Sequence, residues 1–205
     1  MARGKNTKER IMDIAQDAVL AKGFDATSIE EIVTAAEITK SGFFYHFPDK
    51  NALARALIER HIEIEGQLFD GIMDRARELS DDPLQAALIG LKLLAEMLDD
   101  VPYGHPGCIV ASATYQDRLF DRSVREANQR AVLGWRQRFL TMFEEIAARY
   151  PLRDDVGLTD LADMVSSVIE GGLVISRAIG EPRITSRQVL LLRSYIKLLF
   201  LPSPH

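Results

Sequence analysis

The 205-residue sequence has a single cysteine, Cys108, and no apolar run close to the roughly 18 residues that a membrane-spanning helix needs. One cysteine excludes an intrachain disulfide, which suits the reducing cytoplasm. The basic N-terminus is followed by no apolar segment, so it does not have the pattern of a secretory signal. These absences predict a cytoplasmic protein with no membrane association.

The usual signs of catalysis are also missing. The four histidines, His46, His61, His105 and His205, lack the close His/Cys spacing of a metal site. The sequence has no phosphate-binding loop, no GxSxG motif and no Ser-His-Asp order. We therefore expect no metal, no cofactor and no enzymatic activity.

Strand signals are absent as well, since no segment sustains an apolar/polar alternation and no Asn-Gly or Asp-Gly hairpin turn occurs. Apolar residues recur at helical spacing instead, which predicts an all-α fold of about nine helices. The predicted helices lie at 7–22, 28–36 and 40–46, from 50 to about 62, and then at about 62–79, 84–99, 108–118, 121–149, 158–179 and 185–200.

The charge is unevenly distributed along the chain. The net charge is −5, yet residues 1–61 are neutral, with nine Lys/Arg and nine Asp/Glu. Residues 62–205 hold sixteen Lys/Arg against twenty-one Asp/Glu, and four of the first ten residues are basic. A neutral N-terminal third with a basic tip fits a molecule that presents one end to a polyanion.

Two short helices at 28–36 and 39–46 are separated only by Glu37 and Ile38. Thr27, with Glu30 three residues later, has the spacing of a capping box. Helices this short are marginal in water, so longer neighbours must hold them by packing. Two short helices clamped between longer ones predict a helix-turn-helix.

The second helix of this pair has the chemistry of a groove-reading helix. Its first turn, Thr39–Gly42, is small and polar with one cation, so backbone amides and hydroxyls can approach phosphates. Tyr45 and His46 follow on the outer face. We expect Phe44 and Phe47 to belong to the core, whereas Phe43 suits either the core or a thymine-methyl contact.

The runs Thr27–Ala36 and Ile38–Leu53 resemble the N-terminal domain of TetR/AcrR-family regulators. The resemblance implies a sequence-specific transcriptional regulator, a homodimeric repressor that a small-molecule inducer releases from a palindromic operator in double-stranded DNA. It implies DNA contacts, to bases or phosphates, by Thr27, Ser28, Thr39, Lys40, Ser41, Gly42, Phe43, Tyr45, His46 and Lys50.

One position departs from the family pattern. The turn between the two short helices usually has glycine after Ala36, and this chain has Glu37. If the turn requires a positive φ, Glu37 is strained where glycine would not be. Its carboxylate would also lie close to DNA phosphates.

The resemblance divides the chain into a DNA-binding domain at 1–52, extending to about 64, and a ligand-binding and dimerisation domain at 65–205. Apolar stripes on the last two helices predict a four-helix dimer interface, although they could also pack within one chain. The interface residues predicted are Val165, Val168, Ile169, Gly172, Leu192, Tyr195, Ile196 and Leu199.

An inducer pocket is predicted from bulky apolar residues with a few polar ones among them. The same residues at helical spacing are also typical of a plain core, and both interpretations stay open here. The candidate lining residues are Met97, Cys108, Tyr115, Trp135, Phe139, Met142 and Phe143.

Two alternatives keep the helical fold and change the function. Glu37 and the acidic net charge favour a small-molecule-binding or interaction protein with a vestigial helix-turn-helix. A regulator switched by protein contact would keep the DNA-binding end and replace the inducer.

Overall fold

The computed structural model describes residues 2–101 and 105–200, and side chains from residue 7 onward. Within these ranges every regular element is a helix, so the all-α prediction is confirmed. No helix there is long and apolar enough to cross a membrane. The helices are α1 (Ala2–Ala26), α2 (Ile29–Ala35), α3 (Lys40–His46), α4 (Lys50–Leu79), α5 (Pro83–Asp99), α6 (Ile109–Tyr115), α7 (Arg122–Ala147), α8 (Leu158–Ile179) and α9 (Ile184–Phe200), with a short 3-10 helix at Asp117–Leu119.

Most helix ends lie where the sequence places them. Asp49 caps α4 by accepting from the Ala52 amide at 2.7 Å, and Asp82 caps α5 by accepting from the Gln85 amide at 2.9 Å. Such side chains satisfy backbone N–H groups that have no partner within the helix. Gly180 ends α8 in the left-handed conformation, with φ of 69°.

Helix α4 corrects the sequence-based prediction of two helices that meet at about residue 62. It runs unbroken for 30 residues from Lys50 to Leu79. Between Lys50 and Leu79 the chain has no proline. Its two glycines there, Gly66 and Gly71, are tolerated in a helix at a cost of about 1 kcal/mol of stability each. The periodicity changes near residue 62 because the residues on either side belong to different cores.

The chain forms two compact units, each with its own core. The N-terminal unit comprises the described residues up to 64 together with 106–132. Its core is built on the apolar stripes of α1 and α4, which enclose the inner faces of α2 and α3. Fully buried members include Ile11, Ala15, Ile32, Phe43 and Leu57. Burying such side chains stabilises the unit by about 1.5–3 kcal/mol each.

Residues 106–132 lie in the N-terminal unit, whereas the sequence-based division assigns them to the C-terminal domain. The physical reason is the apolar face of α6, where Ile109, Val110 and Ala113 are buried in the same core as α1. Phe120 joins this core with its ring 4.9 Å from that of Phe24, edge to face. This segment therefore supports the helix-turn-helix directly.

The C-terminal unit comprises the described residues of 65–105 and 133–200. Within it, α9 packs against both α5 and α8. Gly172 lets α8 and α9 approach closely, because a Cβ at this position would lie 3.0 Å from the Thr185 Cα. The Arg193 guanidinium also donates to the Leu88 carbonyl at 2.8 Å, joining α9 to α5.

Candidate nucleic-acid interface

Helices α2 and α3 begin with side-chain caps that fix their first turns. The Ser28 hydroxyl accepts from the Glu31 amide and the Thr39 hydroxyl accepts from the Gly42 amide, both at 3.1 Å. The expected cap of α2, Thr27, is wrong by one residue. The Thr27 hydroxyl donates instead to the Gly23 carbonyl at 2.8 Å.

The turn between α2 and α3 adopts the conformation that makes Glu37 unusual. Glu37 has a φ of 51°, the only positive value at a non-glycine residue within the described chain. Its amide donates to the Thr34 carbonyl and the Ile38 amide to the Val33 carbonyl, both at 3.1 Å. The backbone of the turn is thus fixed, and an ordinary side chain occupies a conformation that favours glycine.

Glu37→Gly is expected to raise the free energy of unfolding by about 0.5–1 kcal/mol, because relief of left-handed strain outweighs the added chain entropy. Urea unfolding followed by circular dichroism measures this difference. Glu37→Asn is the control, since asparagine tolerates this conformation and removes the same charge. A Glu37→Gly variant that is less stable than the wild type would contradict the claim that the backbone at Glu37 is strained.

The outward face of α3 carries the side chains that the sequence predicts for DNA contact. Thr39, Lys40 and Ser41 are exposed at its N-terminus. Tyr45 has 82% of its surface exposed, and its ring lies edge to face with that of His46 at 5.0 Å. Its phenol group is therefore accessible to a partner and can donate or accept a hydrogen bond.

The structure chooses between the two alternatives left open for Phe43 and corrects the prediction for Phe44. Phe43 is fully buried against Phe47, with ring centroids 5.9 Å apart, so a DNA contact by Phe43 is wrong for this structure. Phe44, expected in the core, keeps 46% of its surface exposed. Residues 43 and 47 lie one turn apart on the inner face, and residue 44 is rotated about 100° from it.

Of the two residues predicted to contact phosphate at the start of α2, only Ser28 is accessible. Ser28 is exposed, and its hydroxyl lies at the helix N-terminus. Thr27 has 1% of its surface exposed and its hydroxyl is occupied by the Gly23 carbonyl, so it has no surface to offer a phosphate.

Acidic residues of α2 hold cations on both sides of the helix-turn-helix. Glu30 pairs with Lys40 of α3 at 2.5 Å, and Glu31 pairs with Lys22 of α1 at 2.6 Å. The hydrogen bond from Lys40 lowers the pKa of Glu30, and that from Lys22 lowers the pKa of Glu31. All four side chains are exposed, so these pairs orient the cations without contributing much stability.

Lys50 lies at the start of α4, where its ammonium group donates to the Phe24 carbonyl. Partial burial lowers the pKa of Lys50, and the nearby Asp25 carboxylate opposes that shift. The side chain is therefore tied to the end of α1.

Gly42 lies where the backbone of α3 would approach a ligand most closely. A Cβ at this position would lie 3.3 Å from the Thr39 hydroxyl oxygen and would press on the cap. Gly42 thus preserves the Thr39 cap, and it adds no side chain to the surface of the first turn.

The seven candidate pocket residues are divided between the two units. Cys108 and Tyr115 belong to the N-terminal unit, where Tyr115 is exposed. In the C-terminal unit, Phe139 and Phe143 are buried and Met97 packs beside them, as a core requires. Trp135 stacks on Phe139 with ring centroids 5.7 Å apart, and Phe69, which the sequence prediction missed, meets both rings edge to face.

A surface groove of about 480 Å³ lies elsewhere in the C-terminal unit. Among the seven candidates only Met142 lines it. The other lining residues come from the ends of α4 and α7 and the start of α5, and they include Met73, Arg77, Pro83, Glu145 and Arg149.

The predicted dimer residues are mostly on the wrong face of their helices. Val165, Gly172, Leu192, Ile196 and Leu199 are buried within the chain. They form the contact among α5, α8 and α9, which uses the strongest apolar stripe of each helix. Val168 and Ile169 are partly exposed, and Tyr195 is exposed.

A second apolar stripe faces outward on the same two helices, and of its residues the sequence analysis named only Val168 and Tyr195. On α8 it follows the spacing i, i+4, i+7, i+11, and on α9 it follows i, i+4, i+7. The outer stripe consists of Met164, Val168, Gly171 and Ile175 on α8 and of Leu191, Tyr195 and Leu198 on α9. Its residues are conspicuous only after the inner stripe has been assigned to the core.

The part of the chain that the structure describes contains no cluster of three or more His, Cys, Asp or Glu side chains that could hold a metal ion. The perturbed carboxylates of the N-terminal unit are instead held by hydrogen bonds. Gln116 lowers the pKa of Asp25, and backbone and hydroxyl donors lower the pKa of Asp121.

The sequence is similar to a known family and to several of its described proteins. Residues 11–57 match the family model described as bacterial regulatory proteins of the tetR family. An HTH-type transcriptional regulator of Lactococcus lactis, from the lacX 3′ region, is 29% identical over 129 residues, which is 60% of each chain. The HTH-type transcriptional repressor NemR of Escherichia coli is 30% identical over 56 residues, or 27% of this chain and 28% of its own.

The chain thus spans less than two thirds of either relative by sequence. The fold comparison reaches further along the chain. The crystal structure of a TetR transcriptional regulator from Chloroflexus aurantiacus superposes with a TM-score of 0.79 at 20% identity, covering 98% of both chains. The likeness of fold therefore extends beyond the matched segment.

Proposed function

We propose that the chain is a TetR-family transcriptional regulator, a homodimeric repressor that a small-molecule inducer releases from a palindromic operator. The observation that carries the DNA-binding part is the outward face of α3. Thr39, Lys40, Ser41 and Tyr45 are exposed there on a short helix that its caps and its buried Phe43 hold in place.

In this proposal α3 enters the major groove with its N-terminus toward the bases. The small first turn allows close approach, and Lys40 is the side chain there with reach to a guanine edge or a phosphate. Tyr45 and His46 lie one turn further along, where hydroxyl and imidazole donors suit the DNA backbone. Ser28 supports a phosphate contact at the start of α2.

The pairing of Lys40 with Glu30 gives this interface an internal competitor. DNA must replace the Glu30 carboxylate as the partner of Lys40, and the carboxylate then remains near the phosphates. The pair holds Lys40 beside α2 in free protein and weakens binding to every sequence. Removing the Lys40 ammonium should therefore lower operator affinity, whereas removing the charge of Glu30 should raise it.

Lys40→Ala is expected to weaken operator binding about tenfold, lower the salt slope by about one and relax base preference near the contact. Glu30→Gln keeps the hydrogen-bonding shape and is expected to tighten binding. Fluorescence anisotropy at several salt concentrations measures both. Equal operator affinities for the two variants would contradict the proposal that Lys40 contacts DNA.

Lys50 has a different proposed role, because its ammonium also holds the end of α1. We propose that it meets a phosphate from this position, as the family resemblance implies. Its loss would then weaken binding to all sequences alike, without a change in base preference.

The outer stripe of α8 and α9 supports the homodimer. Met164, Ile175, Leu191 and Leu198 expose apolar surface in two adjoining rows. Two such hairpins would bury these rows in a four-helix contact, and Gly171, beside which a Cβ would meet nothing, lets the second copy approach. The two recognition helices of a dimer then suit half-sites about 34–36 Å apart.

For the inducer we propose a small molecule with an aromatic or apolar body that contacts the Phe69, Trp135 and Phe139 cluster. Trp135 and Phe69 are partly exposed, so the cluster is open on one side. Glu65 lies on α4 one turn before Phe69, and burial raises its pKa. Ligand binding would act by stabilising a dimer conformation with lower operator affinity.

Selection of binding sites from random duplex DNA tests the proposed function. Repeated rounds at low salt should enrich an inverted repeat. Enrichment of a single unpaired half-site would contradict the dimer, and failure to enrich any sequence would contradict the DNA-binding function itself.

A further inference from the structure

Helix α1 is broken at a junction formed by Gly23, Phe24 and Asp25, immediately before α2. Gly23 has φ of 89° and ψ of 166°, far from helical values. Only glycine adopts this conformation readily. The direction in which the chain leaves α1 and enters the helix-turn-helix is therefore decided here.

The side chain of Gln116, just after α6, holds this junction. Its Oε1 accepts from the Phe24 amide at 2.7 Å, and its Nε2 donates to the Asp25 carboxylate at 2.5 Å. A carboxamide is the one side-chain group that supplies an acceptor and a donor side by side for these two partners. A Cβ at Gly23 would lie 3.1 Å from both polar atoms of Gln116, so the fit is close.

The same segment contacts the chain again beyond the helix-turn-helix. The Asp121 amide donates to the Asn51 side chain in the first turn of α4, at 3.1 Å. Residues 116–121 thus bind the chain both before α2 and after α3. Between these two attachments lies the whole of the candidate interface, and the side-chain hydrogen bonds of Gln116 go to Phe24 and Asp25, outside that interface.

We propose that Gln116 is a positioning residue for DNA binding, which sets the entry of the chain into α2 without itself touching DNA. The proposal rests on the proposed DNA-binding function.

Gln116→Glu keeps the size of the side chain, loses the donor and places a second carboxylate beside Asp25. We expect it to weaken binding to the selected duplex at least about tenfold. Adding Asp25→Asn restores a donor opposite the new carboxylate and should recover most of the affinity. Gln129→Glu is the matched control, since it makes the same charge change on an exposed position of α7 in the same unit.

Amide hydrogen exchange at Phe24 is measured in the same samples, with thermal unfolding to verify that each variant is folded. Faster exchange in Gln116→Glu, reversed together with affinity in the double variant, is the expected result. Should Gln116→Glu fail to fold, Gln116→Ser, which adds no charge, replaces it and should also weaken binding at least about tenfold relative to wild type.

The proposal is overturned if Gln116→Glu binds as tightly as Gln129→Glu, or if the folded double variant recovers Phe24 protection without recovering affinity. If Gln116→Ser is the test variant, it is overturned when that folded variant binds as tightly as the wild type. A wild-type protein that binds no selected duplex contradicts the proposed function instead, so the two failures are distinguishable.

Discussion

Replacing Phe43 with alanine is expected to lower the free energy of unfolding by about 3–5 kcal/mol, the cost of deleting a fully buried aromatic ring. The ring lies in the core between α1, α3 and α4, so the loss should destabilise the whole N-terminal unit. Operator binding should disappear as the unit unfolds. Urea unfolding followed by circular dichroism measures the difference.

Phe44→Ala is the matched control for this prediction. It deletes the same ring from the adjacent residue, where nearly half of the surface is exposed, and should cost less than about 1 kcal/mol. A folded protein with altered operator affinity would then indicate that Phe44 lies at the DNA. Similar stability losses for the two variants would contradict the assignment of the inner and outer faces of α3.

Ile175→Glu is expected to dissociate the dimer, because it places a charge in the outer stripe on α8. Desolvating an unpaired carboxylate against a second apolar surface is strongly unfavourable. Loss of two-site binding should weaken operator affinity by about 100-fold or more. Sedimentation velocity gives the oligomeric state, and anisotropy with the selected duplex gives the affinity.

Val174→Glu is the control for this substitution. Val174 is as exposed as Ile175, at 50% against 49%, and it lies about 100° around the helix from it. This variant should stay dimeric and bind DNA normally. If Val174→Glu dissociates the dimer and Ile175→Glu does not, the interface lies on another face of α8.

The helix-turn-helix could be predicted closely from the sequence because its signals are local. Thr39 and Asp49 cap the helices that were expected to follow them, and the family pattern, with glycine after Ala36, pointed to Glu37 as the position of strain. The errors are also local in origin. Both Thr27 and Ser28 can cap a helix, and only the Gly23 carbonyl decides which hydroxyl is free to do so.

The order of the phenylalanines could not be predicted from the sequence. Phe43, Phe44 and Phe47 are equally apolar, and a seven-residue helix is too short for periodicity to fix its inner face. The neighbouring cores of α1 and α4 make that choice. The sequence alone therefore shows which residues form this helix, but not which of its faces is buried.

The C-terminal unit was predicted less well because its contacts are distant in sequence. The apolar stripes of α8 and α9 were recognised, yet Leu192 and Ile196 pack inside the chain and Leu191 and Leu198 face outward. Nothing local distinguishes an internal stripe from an external one. Residues 106–132 similarly join the N-terminal unit through contacts that span about 90 residues, such as that between Gln116 and Phe24.

The most direct test of the central claim is the affinity of the wild-type protein for its selected inverted repeat as salt is varied. The account predicts that the duplex is bound far more tightly than a scrambled one, and that log K falls linearly with log salt by about 0.9 for each phosphate contacted. A duplex with one half-site should bind much more weakly. Binding that is independent of salt, or equal for the intact and scrambled duplexes, would contradict the claim that α3 reads DNA.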